Sequence, residues 1–134
     1  MKSAYFVLLV AIASAIKVKD DETSEVTSAV TINTLENGTG AMCQTDQTAA
    51  VHYTGALTSN GKVFDSSIPR GEPIKFKIGD FRVISCWEQA IVQLHVGDKA
   101  DIVCPAKTAY GARSKPNIPA NSDLTFNVEV VSCE

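Results

Sequence analysis

The sequence predicts an α+β domain in which one short helix packs on a face of an antiparallel sheet. Several stretches alternate apolar and polar side chains with a period of two, which is typical of half-buried strands. One stretch changes period, because its apolar side chains recur at the i, i+3, i+4 and i+7 spacing of a helix, at Trp87, Ala90, Ile91 and Leu94. About five strands interrupted by a single helix define the α+β class.

The strand pattern can be followed along the chain. Strands are predicted at residues 28–35, 48–55, 63–66, 74–78, 99–104 and 124–130. Asn60-Gly61 lies between the second and third of these and predicts a tight turn. Ser85 and Glu88 match a capping box at the helix start, and Gly97 is a candidate terminator. The long loop at residues 108–119 contains two prolines and is expected to form an ordered flap.

The N-terminal segment, residues 1–15, has the pattern of a secretory signal peptide. Lys2 supplies a positive charge, residues 4–12 are apolar, and Ala13-Ser14-Ala15 offers small side chains at a cleavage site. A membrane anchor is disfavoured, because the apolar run is shorter than the ~20 residues that span a bilayer. Residues 16–34 are polar and end in a pattern typical of an edge strand, and Asn37 begins a glycosylation sequon.

Charge and cysteine usage exclude several classes of function. The net charge is −3 and no basic stripe is present, which argues against a nucleic-acid partner. Four cysteines behind a secretory leader predict disulfides, and they allow three pairings between which spacing alone does not choose. No pair has CxxC spacing, and His52 and His95 are not placed as ligands, so no metal or other cofactor is expected.

The hairpin of the second and third strands is the candidate site. It brings Tyr53, Phe64 and Asp65 within reach of one another, which predicts an apolar niche with one phenol and one buried carboxylate. A buried carboxylate must be hydrogen-bonded or paired, and the Tyr53 phenol is a candidate partner within the hairpin. A purely structural core has no need of an acid among aromatic side chains, so a binding or catalytic role is favoured.

Several short motifs in fixed order resemble the FKBP family of peptidyl-prolyl isomerases. The resemblance rests on Val51-His52-Tyr53-Thr54-Gly55, Phe64-Asp65-Ser66-Ser67, Val83-Ile84 with Trp87, Val96-Gly97, Ala109-Tyr110-Gly111, Ile118-Pro119 and Leu124-Thr125-Phe126. Each motif alone is weak, but the ordered set is specific. It covers residues 35–134, and implies that these form a twisted five-stranded antiparallel sheet wrapped around one helix.

The resemblance also implies which residues form the site. Trp87 is expected to be the floor of a pocket between helix and sheet, and the Ile84 amide and the Tyr110 hydroxyl to hold substrate carbonyls. The resemblance implies that Arg70 is a partner of Asp65 and Tyr53. The implied catalytic positions are Tyr53, Asp65, Trp87, Tyr110 and Phe126. The implied substrate-binding positions are Phe64, Arg70, Ile74, Phe76, Val83, Ile84 and Ile118.

In the family sheet the second strand runs antiparallel to the last one, which implies a Cys43–Cys133 disulfide. Cys104 is expected to lie under the helix start, which implies a Cys86–Cys104 disulfide. The chain departs from the family pattern at an aliphatic Ile74 on the pocket wall, at Cys86 before the floor, at Lys115 and in a flap one residue shorter. These departures bear on substrate range and macrolide affinity more than on the reaction.

The implied activity is that of a peptidyl-prolyl cis-trans isomerase (EC 5.2.1.8) without cofactor, acting on X-Pro bonds in folding proteins of the secretory pathway. Polypeptides containing X-Pro bonds, and the macrolides tacrolimus or rapamycin, are the expected partners of a monomer that is free of the membrane after signal cleavage. The alternative is a secreted module that binds proline peptides or macrolides with little catalysis. No KDEL-type tail is seen, so secretion is expected, with the ER lumen as the alternative.

Overall fold

The computed structural model describes residues 29–134. The predicted signal peptide and the start of the polar N-terminal segment lie outside these residues. The elements in chain order are β1 (Thr31–Glu36), β2 (Thr48–Leu57), β3 (Val63–Ser66), β4 (Ile74–Lys77), α1 (Ser85–Ile91), β5 (Lys99–Cys104), a 3₁₀ turn (Ala106–Thr108) and β6 (Leu124–Cys133).

All the strands belong to one antiparallel sheet with the order β1-β5-β6-β2-β3. β4 is the sixth strand, and it pairs with the first half of β2 while β3 pairs with the second half. These two short strands therefore share one position beside β2, and the sheet is five positions wide. The α+β class and the antiparallel sheet around one helix are confirmed.

The core forms between the sheet and the buried face of α1. Alternate residues of β6 are buried, as the period-two pattern predicts: Leu124, Phe126, Val128 and Val130. The helix buries Trp87, Ala90 and Ile91 against them, and Leu94, just beyond its end, is also buried. The predicted amphipathic face is therefore confirmed. Its burial is expected, because burying apolar surface is the main favourable contribution to folding.

The start of α1 differs from the prediction. Its N-cap is Ile84, which makes no side-chain capping bond, and the Ser85 hydroxyl donates instead to a carbonyl of the 3₁₀ turn at 3.3 Å. The Glu88 carboxylate accepts the backbone N–H groups of Gly79 and Phe81 at 2.7 and 2.9 Å. The predicted capping box is therefore wrong, because tertiary partners occupy both of its side chains.

Two predicted turn positions also differ. The residues between β2 and β3 form a five-residue connection, 58–62, in which Gly61 has a positive φ of 74° and Asn60 does not. The Asn60 side chain accepts the Lys62 amide, so the turn predicted at Asn60-Gly61 forms part of a longer connection in which Gly61 alone has positive φ. α1 ends at Ile91, and Gly97, with φ 97°, lies in the turn before β5 rather than at the helix terminus.

Two disulfides tie the ends of elements together. Cys43 is bonded to Cys133 at the end of β6, and Cys86 in α1 is bonded to Cys104 at the end of β5. The pairing implied by the family resemblance is therefore confirmed. The second bond links the residue before Trp87 directly to the sheet.

The remaining N-terminal features lie on the surface. β1 pairs with β5 at the sheet edge and crosses the predicted boundary between residues 34 and 35. Asn37 is exposed in the coil that follows β1.

Within residues 29–134 there is no helix with the length and apolar character needed to cross a bilayer, and no cluster of His, Cys, Asp or Glu side chains that could hold a metal ion.

Candidate functional site

A cavity of about 440 Å³ opens between α1, the loop before it, the β2–β3 hairpin and the segment that follows the 3₁₀ turn. This volume lies within the range of small-ligand sites, which is about 300–1,000 Å³. Twelve residues line the cavity: Tyr53, Phe64, Asp65, Ile74, Arg82, Val83, Ile84, Trp87, Ala109, Tyr110, Arg113 and Phe126.

Trp87 forms the floor of this cavity, as the resemblance implied. Its ring meets Tyr53 and Phe126 edge to face, with centroids 5.3 Å apart in both cases, and Phe76 supports it at 5.8 Å. Phe64 extends the wall by an edge-to-face contact with Phe126 at 5.8 Å. Edge-to-face contacts orient aromatic rings specifically, so the apolar surface of the cavity has a defined shape.

Gly55 in β2 leaves space for two wall side chains, Phe64 and Phe126, to lie close to the strand backbone. A Cβ atom there would lie 2.7 Å from Phe126 Cε1 and 2.7 Å from Phe64 Cζ. Ordinary carbon contacts are about 3.5–4.0 Å, so a side chain at this position would displace both rings. The glycine of the Tyr53-Thr54-Gly55 motif therefore sets the spacing of the cavity wall.

A polar network surrounds Asp65 at one side of the cavity. The Tyr53 hydroxyl donates to Asp65 Oδ2 at 2.6 Å, and Arg70 donates to Asp65 Oδ1 at 3.2 Å and to the Tyr53 hydroxyl at 3.1 Å. The Ser66 amide donates to Asp65 Oδ1 at 2.8 Å. The expected partners of Asp65 are confirmed, but the expectation of a buried carboxylate is wrong. Its side chain is 47% exposed, because it lies at the cavity rim.

These contacts determine the charge state of the network. The hydrogen bond from Tyr53 lowers the pKa of Asp65, and Arg70 and the Ser66 amide add to this effect against the opposing influence of burial. Burial raises the pKa of Tyr53, and its hydrogen bond to Asp65 raises it further. Asp65 is therefore a carboxylate and Tyr53 a neutral phenol at neutral pH. A charged acceptor strengthens the bond that fixes the Tyr53 ring.

Hydrogen-bond donors are available around the apolar floor. The Ile84 carbonyl accepts the Trp87 and Glu88 amides, whereas its own N–H precedes the helix and takes no part in helical hydrogen bonding. Tyr110, whose side chain carries a hydroxyl group, lines the cavity as well. The Trp87 indole N–H is buried and has no acceptor among the described residues. The cavity thus combines a rigid apolar floor with donors suited to carbonyl groups.

Glu88 holds the loop that carries part of the wall. Its two amide contacts stabilise residues 79–81, where Phe81 has a positive φ of 55° and a side chain that is 68% exposed. Positive φ is uncommon for a residue with a bulky side chain, so the loop depends on these contacts. Arg82, Val83 and Ile84 follow directly and face the cavity.

Three of the predicted site residues lie outside the cavity lining. Arg70 acts through Asp65 and Tyr53, and Phe76 lies behind Trp87 with 5% exposure. Ile118 is buried in the flap, where it pairs with Lys115 and borders a separate cavity. The other predicted residues of the pocket come together around the one cavity.

Three lining residues were missed by the sequence analysis: Arg82, Ala109 and Arg113. Arg82 directly precedes the Val83-Ile84 motif, and Arg113 follows Tyr110 by three positions. Their proximity to motif residues was the available signal. An isolated arginine in a loop is usually a solvated surface residue, so residue type alone did not mark them.

The site is an aromatic cavity with a helical floor on an antiparallel sheet, and its shape suits a small apolar ring. The chain belongs to the FKBP-type peptidyl-prolyl cis-trans isomerases, since the sequence model of that family matches residues 39–131. The family predicted from the motifs and its isomerase activity are thereby confirmed. Proteins of this family bind proline-containing substrates and FK506-type ligands.

Individual relatives agree with the family match. Peptidyl-prolyl cis-trans isomerase FKBP1A of Xenopus laevis is 44% identical over 107 residues, which cover 78% of this chain and 98% of that protein. FK506-binding protein 2 of Candida glabrata is 51% identical over 83 residues, which are 61% of each chain. Peptidyl-prolyl cis-trans isomerase FPR2 of Saccharomyces cerevisiae is 49% identical over 82 residues, 60% of this chain and 61% of that protein.

Proposed function

We propose that this isomerase accelerates the rotation of X-Pro bonds in polypeptides that fold in the secretory pathway. The observation that carries the proposal is the apolar cavity above Trp87, which Ile84 and Tyr110 help to line. The two disulfides support an oxidising compartment. The signal-peptide pattern and the exposed sequon at Asn37 support entry into that pathway.

Isomerisation of an X-Pro bond requires few chemical groups beyond an apolar cavity of this kind. Rotation about an X-Pro bond is opposed by a barrier of about 18–20 kcal/mol, because resonance makes the bond partly double. In the twisted transition state this conjugation is lost, so the carbonyl carries less negative charge than in the planar amide. An apolar, water-poor surface therefore stabilises the twisted form relative to the planar form. This is catalysis by differential binding of the transition state, and it requires no nucleophile and no proton transfer.

Each part of the cavity has a role in this scheme. The proline ring packs on the Trp87 floor between Tyr53 and Phe126, whose rings are fixed by their mutual contacts. The Ile84 amide and the Tyr110 hydroxyl hold backbone carbonyls on either side of the bond that rotates. Anchoring both sides orients the peptide, which lowers the entropic cost of reaching the transition state.

Asp65 acts in this scheme as a positioning residue. Its carboxylate is engaged by Tyr53, Ser66 and Arg70, which support a role in holding the Tyr53 ring against the floor. A direct electrostatic contact with the twisted carbonyl is the alternative that the sequence left open. The geometry favours the positioning role, because both carboxylate oxygens already accept hydrogen bonds.

A second candidate function is a secreted module that binds proline peptides or macrolides with little catalysis. The aliphatic Ile74 wall favours it, because an aromatic wall residue is absent at that position. Cys86 favours it as well, since its bond to Cys104 restrains the helix start next to the floor. The two functions differ in the ratio of catalytic rate to peptide affinity.

A protease-free exchange measurement by NMR on a short X-Pro peptide tests the proposal. We expect faster cis-trans exchange with the native protein, inhibition by tacrolimus, and a loss of about tenfold or more in Trp87→Leu and Asp65→Val. Trp87→Leu also leaves a cavity in the core, at a cost of several kcal/mol. Tyr110→Phe removes one hydroxyl only, and it should lower kcat/KM while leaving the fold intact. Tight peptide binding without acceleration would support the binding module instead.

The compartment is tested separately. Expression of the full chain in a eukaryotic secretory host should yield protein that starts after Ala15 and carries both disulfides. Retention of residues 1–15 together with reduced cysteines would contradict the proposed location. Comparison of the medium with the ER fraction distinguishes secretion from residence in the ER lumen.

A further inference from the structure

The mouth of the cavity carries positive charge that is not neutralised by the protein. Arg82 and Arg113 both line the cavity and are exposed. Within residues 29–134 neither guanidinium lies within ion-pair distance of a carboxylate, because the three ion pairs found there involve other residues. The chain as a whole has a net charge of −3, so the positive charge at this site runs against the overall balance.

The acidic side chains near these arginines form no ion pair with them. Asp65 is the only carboxylate among the described lining residues, and it is paired with Arg70. Glu88 is buried and accepts the amides of the loop before Arg82, and Asp80 in that loop makes no ion pair with Arg82 or Arg113. Two guanidinium groups without an ion-pair partner among the described residues make this part of the rim a local anion-attracting surface.

A third cation extends this surface toward the flap. The Lys115 ammonium lies 5.1 Å from the centroid of the Tyr110 ring, and Tyr110 is itself a wall of the cavity. A cation held over an aromatic face is oriented by the ring, so this positive charge stays next to the site. The cationic rim, defined here as Arg82, Arg113 and Lys115, thus flanks the place where the proline is bound.

We propose that the cationic rim selects X-Pro segments that carry a carboxylate or phosphate group within one or two residues of the proline. This inference rests on the proposed function, because it names the substrate class of the same cavity. Guanidinium groups bind carboxylates and phosphates through paired hydrogen bonds, so Arg82 and Arg113 are specificity-determining residues. The apolar floor is expected to bind the proline of any such segment, while the rim distinguishes between neighbouring residues by charge.

The experiment compares isosteric peptides that differ only in charge. One series is Ac-Ala-Xaa-Pro-Phe-NH₂ and the other is Ac-Ala-Leu-Pro-Xaa-NH₂, with glutamate, glutamine or lysine at Xaa. Cis-trans exchange is measured by NMR to obtain kcat/KM at low ionic strength and again in 1 M NaCl. In at least one series we expect kcat/KM for the glutamate peptide to be about fivefold higher than for the glutamine peptide, with the lysine peptide below both at low ionic strength. Two exposed ion pairs of ordinary strength would account for this difference.

Salt and substitution should remove the preference in the same way. In 1 M salt the Debye length falls to about 3 Å, so the ratio of glutamate to glutamine should approach one. The double variant Arg82→Gln/Arg113→Gln should also give a ratio near one. The matched control is Lys75→Gln/Lys77→Gln, which removes two exposed cations from the outward face of β4 and should keep the native ratio.

The outcomes separate this inference from the function on which it rests. Equal acceleration of the glutamate and glutamine peptides in both series would overturn the inference and leave the isomerase activity standing. The same loss of preference in the β4 control would also overturn it, because general surface charge would then explain the effect. A complete lack of acceleration for every peptide would overturn the proposed function together with the inference.

Discussion

Substitution of Gly55 by alanine tests whether the spacing of the aromatic walls controls activity. The added methyl group would lie 2.7 Å from a carbon of Phe64 and 2.7 Å from a carbon of Phe126. Since carbon contacts are normally about 3.5 Å or more, each ring must move by ~0.8 Å. Overpacking of this kind costs about 1–3 kcal/mol. Alanine recovers part of this cost, because it is favoured over glycine in a strand by about 0.5–1 kcal/mol.

The expected net loss is therefore about 1 kcal/mol, which corresponds to a decrease in Tm of about 5 °C for a domain of this size. The effect on activity should be larger than this small loss of stability suggests, because displacements near 1 Å at a binding site can lower the rate by up to about 10²-fold. We expect kcat/KM for an X-Pro peptide to fall at least tenfold at a temperature where the variant is fully folded.

Ala56→Ser is the matched control, because it enlarges the neighbouring residue of β2, whose side chain points to the opposite face. Its kcat/KM should stay near the native value. Native kcat/KM in Gly55→Ala, with the ring resonances of Phe64 and Phe126 unshifted in NMR spectra, would refute the idea that this glycine sets the cavity wall.

Three further predictions concern stability. Because the pKa of Asp65 is lowered in the folded protein, its stabilising contribution is present above its unfolded pKa and is lost as pH falls through the folded pKa. Between pH 6 and pH 2 the free energy of unfolding, measured by chemical denaturation, should therefore fall less steeply in Asp65→Asn than in the native protein. Identical slopes for the two proteins would contradict this. Replacing Cys43 and Cys133 by alanine should lower the free energy of unfolding by about 4.5 kcal/mol, and removing the Cys86–Cys104 disulfide, which closes a shorter loop, should lower it by about 3 kcal/mol. If urea unfolding gave the reverse order, loop entropy would not be the cause. Glu88→Gln should speed amide hydrogen exchange in residues 79–81 and cost about 1–3 kcal/mol, whereas unchanged protection would show that the loop is held by other contacts.

The strands and the buried face of the helix could be predicted because burial imposes a period on the sequence. β6 shows this most clearly, since each predicted inward residue from Leu124 to Val130 is buried. The order of the short motifs identified the family, and the family sheet then led to the correct disulfide pairing. These features depend on local pattern or on long-range pairing that the motif order already encodes.

The errors concern the partners and the exposure of individual polar side chains. Ser85 and Glu88 have the spacing of a capping box, but the folded chain offers them a carbonyl of the 3₁₀ turn and two loop amides instead. Asp65 was expected to be buried because it lies among aromatic residues, yet the rim position leaves it half exposed. Sequence spacing describes local competition only, so it does not predict these outcomes.

The charge of the cavity mouth could not be predicted for a similar reason. Arg82 and Arg113 lie 31 positions apart in the chain, on segments that meet only at the cavity. Neither residue belongs to a motif, and an exposed arginine in a loop carries no signal of its own. Their shared location follows from how α1 and the segment after the 3₁₀ turn pack against the sheet.

The amino-acid sequence alone determined the α+β class, the family, the aromatic residues of the floor and walls, and the partners of Asp65. Periodicity and motif order suffice for these features, because they reflect burial and a shared sheet. Only the tertiary structure decided which polar groups each side chain engages, how far Asp65 is exposed, and that Arg82 and Arg113 meet at the cavity. Those outcomes depend on distances between segments remote in the chain, which packing sets and local sequence does not.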